Sequence, residues 1–187
     1  METRQLGFAQ RRYGAGAIAQ GKAQVILRSS NQSSKVVLVV EDDPDDIALV
    51  QLGARNAECP FSFKFVGNGD EALTYLQGTG LYADRSLYPM PDLIVLDLNM
   101  PRRNGFEVLK WIRTRPQFDQ IQVIVWTGWE HAETADRVRQ AGANLFLRKP
   151  EEASGWITFI GMVSLALNGL QARVAGREGE PIAAAVR

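Results

Sequence analysis

The residues with chemical content stand at the ends of apolar runs. Asp97 follows Leu93-Ile94-Val95-Leu96, and Glu41-Asp42-Asp43 follows Val36-Val37-Leu38-Val39-Val40. A continuous apolar run of this length reads as a strand buried on both faces, as in a parallel sheet. The acids then fall at carboxyl ends of strands, where open α/β sheets place their sites. Crowding three or more carboxylates is unfavourable unless a cation neutralises them, and ligands that are all oxygen favour magnesium. Two further apolar runs end in Thr127-Gly128 and in Arg148-Lys149-Pro150. In a parallel sheet all four ends share one edge. That edge would hold a nucleophilic carboxylate, a cation site, a hydroxyl donor and a fixed positive charge. These are the parts needed to move a phosphoryl group onto Asp97. Magnesium would bridge one phosphate oxygen, Lys149 would hold a second, and Thr127 would donate to a third.

Each residue also has an ordinary reading. Asp97 alone could be a helix cap or a loop acid, and the acids before Pro44 could simply cap the next helix. Thr127 alone is an ordinary β residue. Lys149 before Pro150 fits a solvated turn. Their joint appearance at successive strand ends is what chance does not readily produce.

The elements that must position these residues alternate. The pattern predicts β1 near 36–41, α1 near 44–57, β2 near 62–66 and α2 near 70–77. A loop from Gly78 to Pro91 leads to β3 near 92–97 and α3 near 105–114. Then follow β4 at 123–126, α4 near 131–141, β5 at 145–147 and α5 near 152–168. Asp43 and Pro44 open α1 as cap and first helical residue. Five such βα units predict an α/β protein with a doubly wound, five-stranded parallel sheet and helices on both faces.

Composition narrows the function classes. The chain has 187 residues with 21 basic and 21 acidic side chains, so no net charge drives it toward nucleic acid. Cys59 is its single cysteine, which excludes an internal disulfide and a cysteine zinc cluster and suits a reducing cytosol. The longest apolar stretch, Trp156 to Leu167, is short for a membrane span and is interrupted by Thr158, Gly161 and Ser164. Gln20, Lys22 and Gln24 break any secretory-signal core. Residues 1–34 carry five basic residues and one acid, end in Ser29-Ser30-Asn31-Gln32-Ser33-Ser34, and read as a flexible extension. Residues 171–187 are rich in Ala, Gly, Glu and Arg and read as a tail, leaving 35–170 as the folded domain.

Over roughly 35–168 the chain resembles the receiver domain of two-component response regulators. The matching motifs are Val39-Val-Glu-Asp-Asp-Pro44, Asp97-Leu-Asn-Met-Pro-Arg-Arg-Asn-Gly105, Trp126-Thr127-Gly128 and Arg148-Lys149-Pro150. The resemblance implies the (βα)5 flavodoxin-like receiver fold, with Asp97 as the phosphorylated residue. It implies Asp42 as a direct magnesium ligand, Glu41 as a ligand directly or through water, and the Asn99 backbone carbonyl as the remaining protein ligand. Thr127 becomes the switch hydroxyl and Lys149 the phosphate-binding lysine, while Asp43 caps α1. Phe146 occupies the aromatic switch position, where the family often has tyrosine, so a switch here would rest on packing alone. Gly128 leaves access to the acyl phosphate open. Trp126 should point into the core, and Trp129 should cover α4 or overhang the site. The loop Gly80-Leu81-Tyr82-Ala83-Asp84-Arg85 with Tyr88-Pro89-Met90-Pro91 resembles single-domain receivers associated with phytochrome-type sensor kinases.

The expectation is therefore a cytoplasmic, stand-alone phosphoacceptor that signals through protein partners and is an enzyme only toward its own phosphoryl group. Its partner would be a sensor histidine kinase, with no nucleic acid and no membrane. The stretch after α5 is short for a helix-turn-helix output unit. His131 reads as a cap or surface residue and not as a phosphorelay group. The rival is a receiver-fold scaffold that binds constitutively without phosphorylation. A magnesium phosphatase is disfavoured, because Asn99 stands where a second acid would be required. On α5, Trp156, Ile160, Val163 and Leu167 form one core stripe, with Ile157 and Phe159 flanking it. Met162 and Leu165 lie off it, which predicts a homodimer through α5 with β5 and α4 beside it and Phe146 coupling it to the site.

Overall fold

The computed structural model describes residues 35–57, 59–128, 132–150 and 152–175. The expectations for 1–34, for Trp129 and His131, and for the tail beyond Ala175 lie outside these residues. Among the described residues, five strands and five α-helices alternate: β1 Val36–Val40, α1 Pro44–Asn56, β2 Ser62–Val66, α2 Gly69–Gln77, β3 Leu93–Leu96, α3 Gly105–Arg113, β4 Gln122–Thr127, α4 Ala132–Gln140, β5 Leu145–Arg148 and α5 Ala153–Ala175. All strand pairs are parallel and the order is β2-β1-β3-β4-β5. The order reverses between β1 and β3, which opens a crevice at their carboxyl ends. This is the doubly wound sheet read from the sequence.

Strand alternation divides the core in two. Leu38, Val40, Ile94, Leu96, Val123 and Val125 face α2 and α3, where Leu76, Val108, Leu109 and Ile112 are buried. Val37, Val39, Val95, Ile124 and Trp126 face α1 and α5. The predicted α5 stripe of Trp156, Ile160, Val163 and Leu167 is buried there, and Phe159 joins it. Ile157 and Leu165 are exposed, and Met162 is half-buried.

Local chemistry sets the helix starts. The Asp43 carboxylate accepts from the Asp45 amide at 2.8 Å and Pro44 opens α1, so Asp43 is a cap, as expected. Asn68 caps α2 through the Glu71 amide at 3.0 Å. Asn104 and Glu107 cap α3 reciprocally.

Three placements differ from expectation. Helix α5 runs to Ala175, beyond 168, because Leu170-Gln-Ala-Arg-Val-Ala175 is made mostly of good helix formers. The loop after α2 is more built than its composition suggests. Gly78 ends the helix at φ 67°, and Gly80–Tyr82 form a short 3-10 turn. The Arg85 guanidinium then donates to the Tyr75 and Leu76 carbonyls, each at 2.8 Å, while Tyr75 and Tyr82 each meet Tyr88 edge to face and tilt against each other. Third, Phe146 does not lie beside α5. It packs with the α2–α3 core, whereas its neighbours Leu145 and Leu147 face the α5 side. Adjacent strand residues point to opposite faces, so the proposed coupling of Phe146 to an α5 interface has no direct contact to travel through.

Candidate functional site: an acidic crevice closed by a lysine

The acids at the ends of β1 and β3 meet at the β1/β3 crevice, and Lys149 from the end of β5 reaches them. Asp97 follows β3 and is almost wholly buried. Its Oδ1 accepts from the Leu98 amide at 2.7 Å, and its own amide donates to the Val40 carbonyl at 3.0 Å. The loop beyond is held close. A side chain on Gly105 would put its Cβ 2.1 Å from the Asp97 carbonyl oxygen, so only glycine lets α3 start there. Asn99 lies exposed in the same loop, and Arg102 takes a left-handed φ of 67°.

Glu41 is buried at the end of β1, and Asp42 beside it is exposed. Carboxylate oxygens of Glu41, Asp42 and Asp97 lie within 4.8 Å of one another. Three acids at this spacing, one of them exposed toward solvent, fit a hard divalent cation with water completing its shell. Burial pushes the Glu41 carboxyl up to about 7, against the pull of Lys149 and with the Asp97 charge adding to the rise.

Lys149, just past β5, supplies part of that charge. Its Nζ stands 2.7 Å from Glu41 Oε2, 2.8 Å from Asp46 Oδ2 and 3.2 Å from Asp97 Oδ2. The Glu41 contact is an ion pair set outside hydrogen-bond geometry, while Glu41 Oε1 accepts from the Asp43 amide at 3.1 Å. Burial opposes the charge on Lys149. The hydrogen bond to Asp46, the close Glu41 carboxylate and the charge of Asp97 outweigh it and hold the ammonium above its ordinary range. The Lys149 amide donates to the Thr127 carbonyl at 3.0 Å, which ties the two strand ends together. Thr127 is fully buried, and Gly128 is exposed with nothing within 4 Å of where a Cβ would lie.

Glu41, Asp42, Asp97 and Lys149 are thus brought together, Thr127 is tied to Lys149 through the backbone, and Phe146 lies half-buried on β5 with the α2–α3 core. Two contributors escaped the sequence reading. Asp46, in the first turn of α1, was not singled out from the sequence. Trp126 read only as core, yet Lys149 Nζ lies 5.0 Å from its ring centroid.

The family model for the response regulator receiver domain matches residues 37–159. The chain belongs to the response regulator receiver family. Among curated proteins, this receiver is 33% identical over 115 residues to response regulator Rcp1 of Synechocystis sp., covering 62% of this chain and 76% of that one. Other curated relatives are spanned over only 24% to 49% of their length. Among solved structures, the receiver superposes on the phosphorylated cyanobacterial phytochrome response regulator RcpA with a TM-score of 0.64 at 30% identity, covering 71% of this chain and 92% of that one. It superposes equally well on the Mn(2+)-bound form of response regulator Rcp1, with a TM-score of 0.64 at 30% identity over 71% of this chain and 94% of that one. The receiver fold and the resemblance to phytochrome-associated regulators are therefore sound. No helix among the described residues is long and apolar enough to cross a membrane.

Proposed function

We propose that this receiver acts as a stand-alone response regulator that takes a phosphoryl group from a sensor histidine kinase onto Asp97. The observation that carries the reading is the placement of Asp97, buried at the β1/β3 crevice, 3.2 Å from Lys149 and beside Glu41 and Asp42. Magnesium would be held by Glu41, Asp42, Asp97 and the Asn99 carbonyl, and when bound it supplies charge neutralisation for an incoming phosphoryl group. The protein does the rest by position. Asp97 presents its carboxylate to the phosphorus as the phosphoramidate bond to the kinase histidine breaks. Lys149 moves one N–H from Asp97 to a phosphoryl oxygen, and Thr127 donates to another. The open space at Gly128 admits the donor.

Signalling then requires a partner that binds the phosphorylated and free forms with different affinity. We take the kinase to be of phytochrome type, on the strength of the similarity to RcpA and Rcp1. We place the protein in the cytoplasm, without nucleic acid or membrane as partner, with the receiver running from residue 35 to the end of α5 at Ala175, 1–34 as an extension and the residues beyond α5 as a tail. The exposed Ile157 and Leu165 on α5 support a homodimer through that helix.

The test is a small phosphodonor with magnesium, read by mass spectrometry. One phosphoryl group is expected on the parent and none on Asp97→Asn or in excess chelator. An unmodified parent would leave the constitutive scaffold as the better reading, and labelling of Asp97→Asn would move the acceptor elsewhere.

A further inference from the structure

We infer that Asp46 is the positioning residue for Lys149: it keeps the ammonium aimed at the phosphoryl site when a divalent cation competes for the other carboxylates. The inference rests on the phosphoacceptor reading above. An ammonium has three N–H donors, and Lys149 faces three carboxylates, of Glu41, Asp46 and Asp97. Two of these, Glu41 and Asp97, belong to the group that would hold the cation. A divalent ion held there would take Glu41 and Asp97 oxygens as ligands and would add a like charge beside the lysine. Asp46 stands outside that group. It also makes the shorter of the two lysine contacts that satisfy hydrogen-bond geometry, 2.8 Å against 3.2 Å for Asp97.

The fold holds Asp46 in this role. It is the third residue of α1, whose start is set by the Asp43 cap and by Pro44. The helix N-terminus favours its negative charge. The side chains of Asp46 and Lys149 are 21% and 17% exposed, so solvent screens their pair only in part. The Trp126 ring gives the ammonium a floor at 5.0 Å. With Asp46 on one side and the ring beneath, Lys149 can release Asp97 and keep its place.

The experiment is a double-mutant cycle on the full chain. Beryllium fluoride serves as the phosphoryl stand-in at saturating magnesium, and magnesium binding is measured separately. Asp46→Asn should weaken beryllium fluoride binding roughly tenfold, with a much smaller effect on magnesium binding alone. Asp46→Glu should recover most of the loss. In a Lys149→Ala background, Asp46→Asn should add little, because its partner is gone. Unchanged or tighter binding by Asp46→Asn overturns the inference, and so does an equal loss with and without Lys149. A parent that fails to bind beryllium fluoride at all overturns the phosphoacceptor reading itself, which separates the two failures.

Discussion

Lys149 and Trp126 are joined by a cation–π contact, with the ammonium 5.0 Å from the indole centroid. Trp126 in turn stacks on Phe159 at 4.7 Å and meets Trp156 edge-on at 5.1 Å. The site's fixed positive charge therefore rests on a ring packed directly against α5. Moving that charge toward a phosphoryl oxygen changes the field at the indole. Tryptophan emission should shift when beryllium fluoride and magnesium are added, and Trp126→Phe should remove most of the shift. An equal shift in that variant would show that another tryptophan reports the event.

Glu41 gives the metal-free protein a definite pH dependence. Its carboxyl is raised by burial from 4.5 to about 7, so the folded state holds a proton that the unfolded chain releases. The sign follows. The stabilisation is fully present below about 4.5 and is lost as pH rises toward 7, where the folded protein must carry the buried charge. Thermal melts in chelator should show this group's contribution falling across that window, and Glu41→Gln should flatten the fall. Magnesium should reduce the loss by neutralising the carboxylate. A parent and Glu41→Gln with parallel pH profiles would refute the assignment.

Two glycines near the site should respond oppositely to a methyl group. At Gly105 an added Cβ would collide with the Asp97 carbonyl at 2.1 Å, and backbone cannot yield as a flexible side chain does. Gly105→Ala should cost about 3 kcal/mol and slow phosphorylation by displacing Asp97. At Gly128 the space is open, so Gly128→Ala should change stability by under about 1 kcal/mol. It should slow the small phosphodonor only by narrowing its approach. Urea denaturation and labelling rates check both, and a stable, active Gly105→Ala would contradict the packing.

The exposed side of α5 predicts self-association. Leu165 is 68% exposed and Ile157 59%, both large apolar side chains on one long helix. Light scattering should detect a dimer of the parent at high micromolar concentration. A Met162→Glu, Leu165→Glu double variant should be monomeric with little loss of stability, since Leu165 is exposed and Met162 is only half-buried. A monomeric parent, with or without beryllium fluoride, would remove α5 as the interface.

The sequence by itself determined the order of elements and the edge on which the chemistry sits. Apolar runs too continuous for a one-sided sheet identified β1, β3 and β4, and parallel pairing, with β5 beside them, forces Glu41, Asp97, Thr127 and Lys149 to one edge of the sheet. The Asp43 cap and the α5 stripe were equally legible, because both depend on neighbours within a turn or two. Distance in the chain hid the rest. Asp46 and Lys149 are 103 positions apart, and only the packing of α1 and β5 against the same crevice makes them partners. Alternation along β5 required Phe146 to oppose Leu145 and Leu147, but which of them faced α5 was decided by how the sheet was covered. The long reach of the Lys149 side chain across to Trp126 was likewise a tertiary outcome. A strand's period tells which residues share a face, while the identity of that face belongs to the helices that pack on it.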